Sequence, residues 1–456
     1  MSEHDAIVIG AGPAGEVCAG RLAGEGLDVA LVERELVGGE CAYWACMPSK
    51  ALLRPAQQLA EVARVPGARE AVTGSLDPLA VLARRDEVIH SLDDAGKLGW
   101  LTDRDITLVR GQARLDGERR VRIAETDALL EARRAVVIAV GSGAALPPVP
   151  GLRELAPWTN RQATIAEAVP ERLTVLGGGA VGCELAQAWA TLGAAVTLVD
   201  MHPGLLPGEE PFAGELLTAE LRDQGVDVRT GIRATAARRS ADGNFTLTLD
   251  DADTIESDEL LVAVGRRPHT DNLGLETVGL APGEIVAVDD RMRVPGRDWL
   301  YAIGDVNGRA LLTHVGKYQA LIATATIMNR KASMDWDGAL APRVVFTEPQ
   351  IAAVGRTLDE ALAAGIPARA VDADPGATPG ASFIGKGARS GARIVVDERR
   401  EVIIGATFIG PEVAESLHAA TIAIIGEVPL RRLAHALPAF PTRSEVWLKL
   451  LDSWKP

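Results

Sequence analysis

Ala6-Ile7-Val8-Ile9-Gly10-Ala11-Gly12-Pro13-Ala14-Gly15 is a short apolar run closed by a G-x-G-x-x-G turn, and a helical stretch, the run Val29-Ala30-Leu31-Val32 and Glu33 follow it. The same pattern returns as Leu173-Thr174-Val175-Leu176, Gly177-Gly178-Gly179-Ala180-Val181-Gly182, Val196-Thr197-Leu198-Val199 and Asp200. In both copies the acidic residue stands 18 positions after the last glycine. One such turn is weak evidence, but two in a strand, turn, helix, strand context specify a repeated dinucleotide-binding unit. The first glycine makes the tight turn, the second lets backbone approach a pyrophosphate, and the third lets helix pack on strand. The helix amino terminus then offers free N–H groups to the phosphates, and the carboxylate accepts from the adenosine ribose hydroxyls.

Outward from these units, Ala135-Val136-Val137-Ile138-Ala139-Val140-Gly141 and Leu260-Leu261-Val262-Ala263-Val264-Gly265 read as further buried strands, each ending on a glycine. Leu300-Tyr301-Ala302-Ile303 is another, closed by Gly304-Asp305. Beyond about residue 339 the pattern turns antiparallel: Ala392–Val396, a charged turn at Asp397-Glu398-Arg399-Arg400, and Val402–Ile409. Helical stretches from Glu412 to Ile425 and from Ser444 to Trp454 complete a separate α+β region. The expected class is therefore α/β, with two Rossmann-like dinucleotide-binding domains and a C-terminal α+β domain. At 456 residues the chain exceeds the size of a single core.

A net charge of −15 argues against nucleic acid or an anionic membrane as partner, since such binders displace phosphate counterions with a basic surface. No uncharged apolar run approaches spanning length. Met1-Ser2-Glu3-His4-Asp5 lacks the positive region of a signal peptide, and four cysteines are too few for a secreted disulfide framework, so a cytoplasmic setting is expected. In that compartment a close cysteine pair reads as catalytic or metal-binding. The pair is Cys41 and Cys46, in Gly38-Gly39-Glu40-Cys41-Ala42-Tyr43-Trp44-Ala45-Cys46-Met47-Pro48-Ser49-Lys50. No metal site is expected, because neither Cys18 nor Cys183 brings a second ligand at zinc spacing. Cysteines five apart on a regular helix are too distant for a disulfide, so the helix must be distorted at this turn. A strained, accessible disulfide is the labile, catalytic kind.

This segment resembles the redox motif of the class I pyridine nucleotide-disulfide oxidoreductases, the family of dihydrolipoamide dehydrogenase, glutathione reductase and mercuric reductase. The resemblance runs through nearly the whole chain: both glycine motifs, the C-x-x-x-x-C, the Pro-Ser-Lys after it, Gly304-Asp305, and Pro441-Thr442-Arg443-Ser444-Glu445. It implies FAD at Gly10, Gly12, Gly15, Glu33, Gly39, Lys50, Gly141, Gly304 and Asp305, and a nicotinamide dinucleotide at Gly177, Gly179, Gly182, Asp200 and Gly265. It further implies an FAD domain from residues 1–150 and 281–338, an NAD(P) domain from 151–280, and a dimerisation domain from 339–456 in a homodimer with shared active sites. Cys46 would be the charge-transfer thiol against the flavin and Cys41 the interchange thiol that meets a small-molecule substrate. Lys50, one turn after Cys46, would pair with Glu184 beside the flavin. NADH is favoured over NADPH, because the Asp200 carboxylate would repel a 2′-phosphate and no arginine cluster follows in Met201-His202-Pro203-Gly204.

The chain also departs from the family pattern. Phe440 stands where these enzymes carry the histidine that serves the interchange thiol as general acid-base, while Glu445, that histidine's partner, is kept. A phenyl ring cannot titrate. The same exchange is similar to 2-ketopropyl-coenzyme M oxidoreductase/carboxylase, although that enzyme also replaces the glutamate. The last cysteine is Cys183, so the C-terminal pair of mercuric reductase is missing. Glu40 replaces the family's usual threonine, and either raises the Cys41 pKa by like-charge repulsion or sits in solvent. Ala180 opens the position of a gating tyrosine. Tyr43 and Trp44 are expected to pack against the flavin, and His435 to be a surface residue. The expected function is electron transfer from NAD(P)H through flavin and the cysteine pair to a small disulfide, quinone or other electrophile. The alternatives are reductive C–S cleavage with carboxylation, and a flavoprotein that senses NADH without turnover.

Overall fold

The structure, a computed structural model, describes residues 2–336 and 338–454. The chain forms two compact units, residues 1–48, 85–145 and 266–338 in one and 49–84, 146–265 and 339–456 in the other.

In the first unit the apolar run that opens the glycine motif is part of β1 (Ser2–Ile9), which feeds α1 (Pro13–Gly24) and β2 (Val29–Glu33). Pro13 suits the first helical turn, where its missing N–H has no partner to lose. The chain then builds α2 (Gly39–Tyr43), the start of α3 (Cys46–Arg64), which continues into the second unit from residue 49, and then β3 (Ile106–Arg110) and β4 (Leu129–Ile138). β1 lies parallel between β2 and β4, with Ala6 opposite both Val29 and Ala135. Strands paired on both sides and covered on both faces carry continuous apolar runs, and Ala6 through Ile9 are all buried. β3 extends the sheet beyond β2, and the strand Leu300–Ala302 pairs with the far end of β4. That strand leads through the 3-10 turn Gly304–Asn307 to the helix Thr313–Ile327, which packs on α1.

The second unit repeats the arrangement with β5 (Arg172–Leu176), α4 (Ala180–Thr191), β6 (Ala195–Asp200), β7 (Asp227–Thr230) and β8 (Glu259–Val262). All four strands are parallel, in the order β7, β6, β5, β8. Trp189, on α4, is fully buried against Trp158 in the core of this unit. The antiparallel C-terminal pattern is a sheet in the order Arg343–Val345, Gln350–Gly355, Val402–Gly410, Gly391–Asp397, Ala368–Ala373. The helix Leu417–Ile425 lies over its central strands. It starts later than the sequence pattern suggests, after a 3-10 turn at Val413–Ser416. No helix among the described residues is long and apolar enough to cross a membrane.

Candidate active site

At the end of β1 the chain turns at Gly10, whose φ of +101° is a left-handed value that favours glycine, and whose absent Cβ would lie 2.5 Å from the Ala139 carbonyl oxygen. A Cβ on Gly15 would stand 1.8 Å from the Gly10 carbonyl oxygen, so α1 sits against the turn as only glycine permits. Gly12, the N-cap of α1, has nothing within 4 Å of its Cβ position. That open side, facing free helix N–H groups, is what a pyrophosphate requires. Glu33 accepts the Ala11 N–H at 2.7 Å and the Glu35 N–H at 2.8 Å. Burial holds its carboxyl above the usual range, against these two hydrogen bonds. Gly39 closes on the loop, since its Cβ would fall 2.8 Å from Gly12 Cα. The residues fit the dinucleotide portion of FAD. Gly141, at φ +68°, follows β4 with space beside it.

The second loop repeats this geometry: Gly177 has φ +117°, a Cβ on Gly182 would meet the Gly177 carbonyl oxygen at 1.8 Å, and Gly179 is open. Asp200 accepts the Gly178 N–H, as Glu33 accepts that of Ala11. Its other oxygen takes the His202 N–H at 2.7 Å and lies 2.8 Å from His202 Nδ1. Gly265 follows β8 at φ +145°, again with open space.

The helix carrying the cysteines is broken between them. α2 ends at Tyr43, Trp44 leaves helical geometry at φ −134° and ψ 2°, and α3 starts at Cys46. No disulfide joins the two cysteines in this structure. Thr313 Oγ1 donates to Cys41 Sγ at 3.2 Å and lies 3.6 Å from Cys46 Sγ. The Cys41 thiol is held well above its ordinary pKa by its hydrogen bond to Cys46, by burial and by charge on Cys46, while Thr313 and Lys317 act in the opposite direction. Glu40 is neither the cause of that rise nor a solvated carboxylate. Arg266 Nη2 approaches it to 3.6 Å, and Arg266 also donates to the Ser142 hydroxyl at 2.7 Å and carbonyl at 2.6 Å. The Ser142 hydroxyl in turn donates to Asp305, whose carboxyl is raised by burial. Gly304 N–H donates to Gln319 at 2.7 Å, anchoring the turn that carries Asp305. Tyr43 is buried with its hydroxyl on the Val37 carbonyl, so the protein's own core engages it. Burial pushes the Cys18 thiol up to about 12 and raises Cys183 as well, which leaves both unreactive.

In the second unit Lys50 Nζ donates to Glu184 Oε2 at 2.8 Å and lies 4.7 Å from the centre of the Phe346 ring. Glu184 also accepts the Phe346 N–H at 2.9 Å. This pair, expected from family resemblance, is thus formed and fixed by backbone. Phe440 is 77% exposed, and His435 is exposed too. Glu445 is buried, and its Oε2 accepts the N–H groups of Gly380 at 2.9 Å and Thr442 at 3.2 Å. It is the acidic half of a capping box with Thr442. Sequence reasoning missed Thr313, Arg266, Ser142 and Lys317. Of these only Arg266 carried a local signal, following Gly265 directly.

The model of the family described as pyridine nucleotide-disulphide oxidoreductase matches residues 4–325, and that of its dimerisation domain matches residues 341–451. A dihydrolipoyl dehydrogenase of Thermus scotoductus is 35% identical, the alignment covering 98% of this chain and 96% of the relative. A mercuric reductase of Acidithiobacillus ferrooxidans is 33% identical over 96% of this chain and 80% of its own. Among solved structures, the Cu(II) complex of the HOCl-induced flavoprotein disulfide reductase RclA from Escherichia coli aligns with a TM-score of 0.88 and 26% identity over 100% of both chains. With its two glycine loops, cysteine pair and C-terminal sheet so matched, this chain belongs to the class I pyridine nucleotide-disulfide oxidoreductase family and is an FAD-dependent enzyme that uses a pyridine nucleotide.

Proposed function

We propose that the enzyme takes electrons from NADH, passes them to the Cys41–Cys46 pair, and delivers them to a small disulfide, quinone or other electrophile. The observation that carries this is the joint placement of Cys41 and Cys46 around the Thr313 hydroxyl, in the unit that also holds the first glycine loop. FAD held at the first glycine loop would supply the hydride acceptance from NADH and the two-electron transfer to the pair. For a disulfide acceptor the sum is NADH plus a proton plus RSSR, giving NAD⁺ and two RSH. Cys46 is the thiol assigned to the flavin, and Cys41 the one that attacks substrate. Lys50, oriented by Glu184, would offer its ammonium N–H groups to the flavin ring, and Gly39, Gly141, Gly304 and Asp305 would help to hold the rest of the cofactor. Asp200 is the basis of the NADH preference, because a 2′-phosphate would meet its carboxylate.

The active molecule is a homodimer that shares its active sites. The match of residues 341–451 to a dimerisation domain supports this, as do the exposed Ile422, Ile425, Leu437 and Phe440 in the same segment. The proposed division is an FAD domain from 1–150 and 281–338, an NAD domain from 151–280 and an interface domain from 339–456, in a cytoplasmic protein.

Phe440 removes the group that would protonate a leaving thiolate, so acceptors that need no such proton are favoured. A positioned acid or base contributes about 100- to 10,000-fold. Phe440 also supports a second reading, reductive C–S cleavage followed by carboxylation, in which a carbanion must escape protonation. The test is turnover of wild type and Phe440→His with lipoamide, a quinone, cupric ion (as RclA binds) and a β-keto thioether with bicarbonate, across about pH 6 to 9. Lipoamide reduction is expected to rise about ten-fold or more in Phe440→His, the low end for a positioned base. Equal, robust lipoamide turnover in both proteins would show that another group moves the proton. Carboxylated product from the thioether would favour the second reading. Cys46→Ser is expected to lose the long-wavelength absorbance of the NADH-reduced enzyme, and its survival would overturn the assignment of Cys46.

A further inference from the structure

We infer that Thr313 and Lys317, one turn apart on a single helix face, favour the thiolate of Cys41 and so ease its ionisation in a site where Phe440 offers no titrating group. The inference rests on Cys41 being the interchange thiol. Thr313 is the first residue of a 15-residue helix, and its hydroxyl points at sulfur rather than capping the helix. It donates to Cys41 at 3.2 Å and lies 3.6 Å from Cys46, so its one proton stabilises whichever sulfur carries charge. A hydrogen bond to an ionised acceptor is about twice as strong as a neutral one, so the hydroxyl favours thiolate over thiol. Residues four apart on a helix share a face, which places Lys317 behind Thr313. Both groups pull the Cys41 thiol downward against its burial and its Cys46 neighbour.

Among the described residues, the charged groups Glu40, Asp305 and Glu16 near this turn each have a partner. Glu40 on α2 faces Arg266, Asp305 accepts from Ser142 and lies 3.8 Å from Arg266, and Glu16 on α1 binds Lys97 at 3.0 Å. His314, next to Thr313, is exposed. The unneutralised influences on Cys41 are therefore the Cys46 charge, which opposes ionisation, and Lys317 with the helix amino terminus, which favour it. A hydroxyl and an ammonium cannot take up a proton at neutral pH. They lower the cost of the thiolate without relaying its proton, and the proton leaves to water.

The test is alkylation of the NADH-reduced holoenzyme by iodoacetamide across about pH 6 to 9, with modified Cys41 located by peptide mass. A thiol far below its pKa gains about ten-fold in thiolate per pH unit, so a change in pKa between variants is read as a displacement of the profile along the pH axis. Thr313→Val is expected to slow Cys41 modification about five- to ten-fold at pH 7 and to displace the profile upward by up to about one unit. Thr313→Ser keeps the hydroxyl and should stay within about two-fold of wild type. Lys317→Met should slow it about two- to four-fold at low salt, an effect that shrinks as salt rises and screens the charge, and Lys317→Arg should restore it. A Thr313→Val profile that superimposes on wild type overturns the inference. If Thr313→Val does not fold, Thr313→Ala and Lys317→Met together decide it in the same way. A Cys41→Ser protein that still reacts rapidly overturns instead the reading of Cys41 as interchange thiol, which separates the two failures.

Discussion

The two glycine loops are near copies in backbone and differ in what surrounds their carboxylates. Gly10 and Gly177 share the left-handed turn, Gly15 and Gly182 the same 1.8 Å prohibition of a side chain, and Glu33 and Asp200 the same bond to the N–H after the first glycine. Glu33 spends its other oxygen on the Glu35 N–H and is buried to the point of a raised pKa. Asp200 spends its other oxygen on His202, backbone and ring together. Downstream, both loops are closed by backbone, the first by the Gly38 N–H on the Ala11 carbonyl at 2.8 Å and the second by the Leu206 N–H on the Gly178 carbonyl at 2.9 Å. The motif thus sets a generic pyrophosphate seat, and the two seats differ in what holds the carboxylate's second oxygen. The proposed assignment of FAD to the first loop and the nicotinamide dinucleotide to the second makes this difference testable.

The largest effect that tests this division comes from placing a side chain at the third glycine of each loop. In Gly15→Ala and Gly182→Ala the new methyl meets a backbone carbonyl oxygen that cannot withdraw without moving the turn. Gly15→Ala is expected to purify without flavin. Gly182→Ala is expected to keep flavin, by absorbance per chain, yet to lose flavin reduction by NADH at least about 100-fold, as when an interaction worth some 2.7 kcal/mol is removed. Loss of flavin from Gly182→Ala would show that the two seats are energetically one.

The loops, their strands and the α/β class were legible in the sequence because each requirement falls within some two dozen neighbouring residues. The break between Cys41 and Cys46 was legible for a related reason: disulfide geometry forbids a straight helix at that spacing, and the chain indeed leaves helical geometry at Trp44. What surrounds the sulfurs was not legible. Thr313 lies 272 positions from Cys41, and the pairing of Leu300–Ala302 with β4, together with packing on α1, carries its helix to the cysteine turn. Glu40 shows the same limit, since its charge looked unopposed until Arg266 arrived from the far side of the second loop. Glu445 was visible as a retained family residue, yet its capping of Thr442 and Gly380 depends on a loop 65 positions away. Local motifs declare what a turn can hold, whereas the field at a reacting atom is assembled from segments that share no sequence neighbourhood.

A middle-sized effect is expected at Asp200. Asp200→Ala removes the carboxylate that would repel a 2′-phosphate and accept from the ribose hydroxyls, so the NADH to NADPH ratio of kcat/KM should contract by about ten-fold, or about 1.4 kcal/mol. Steady-state assays with both nucleotides measure it. Equal use of both nucleotides by the wild type would remove the carboxylate from any role in choice, and with it the contrast to Glu33.

The smallest effect concerns His202 and bears most directly on the difference between the loops. In the free protein the imidazole lies 2.8 Å from Asp200 Oδ1, the oxygen that does not already serve the Gly178 N–H. A ribose hydroxyl arriving at this carboxylate must share or displace that contact. Among the described residues Glu33 has no histidine ring in this place, and its second oxygen accepts the Glu35 backbone N–H. The ring of His202 is about half exposed, so its contact with Asp200 ranks with surface pairs worth about 0 to 1 kcal/mol. His202→Ala should therefore lower KM for NADH by no more than about three- to five-fold and leave kcat unchanged, the mark of an interaction that acts on binding alone. The backbone N–H of residue 202 remains as a donor to Asp200, so the carboxylate stays oriented in the variant. A KM that rises on removal of the ring would mean that His202 contacts the nucleotide itself and aids binding. The second loop would then resemble the first in recruiting its neighbours to hold a dinucleotide.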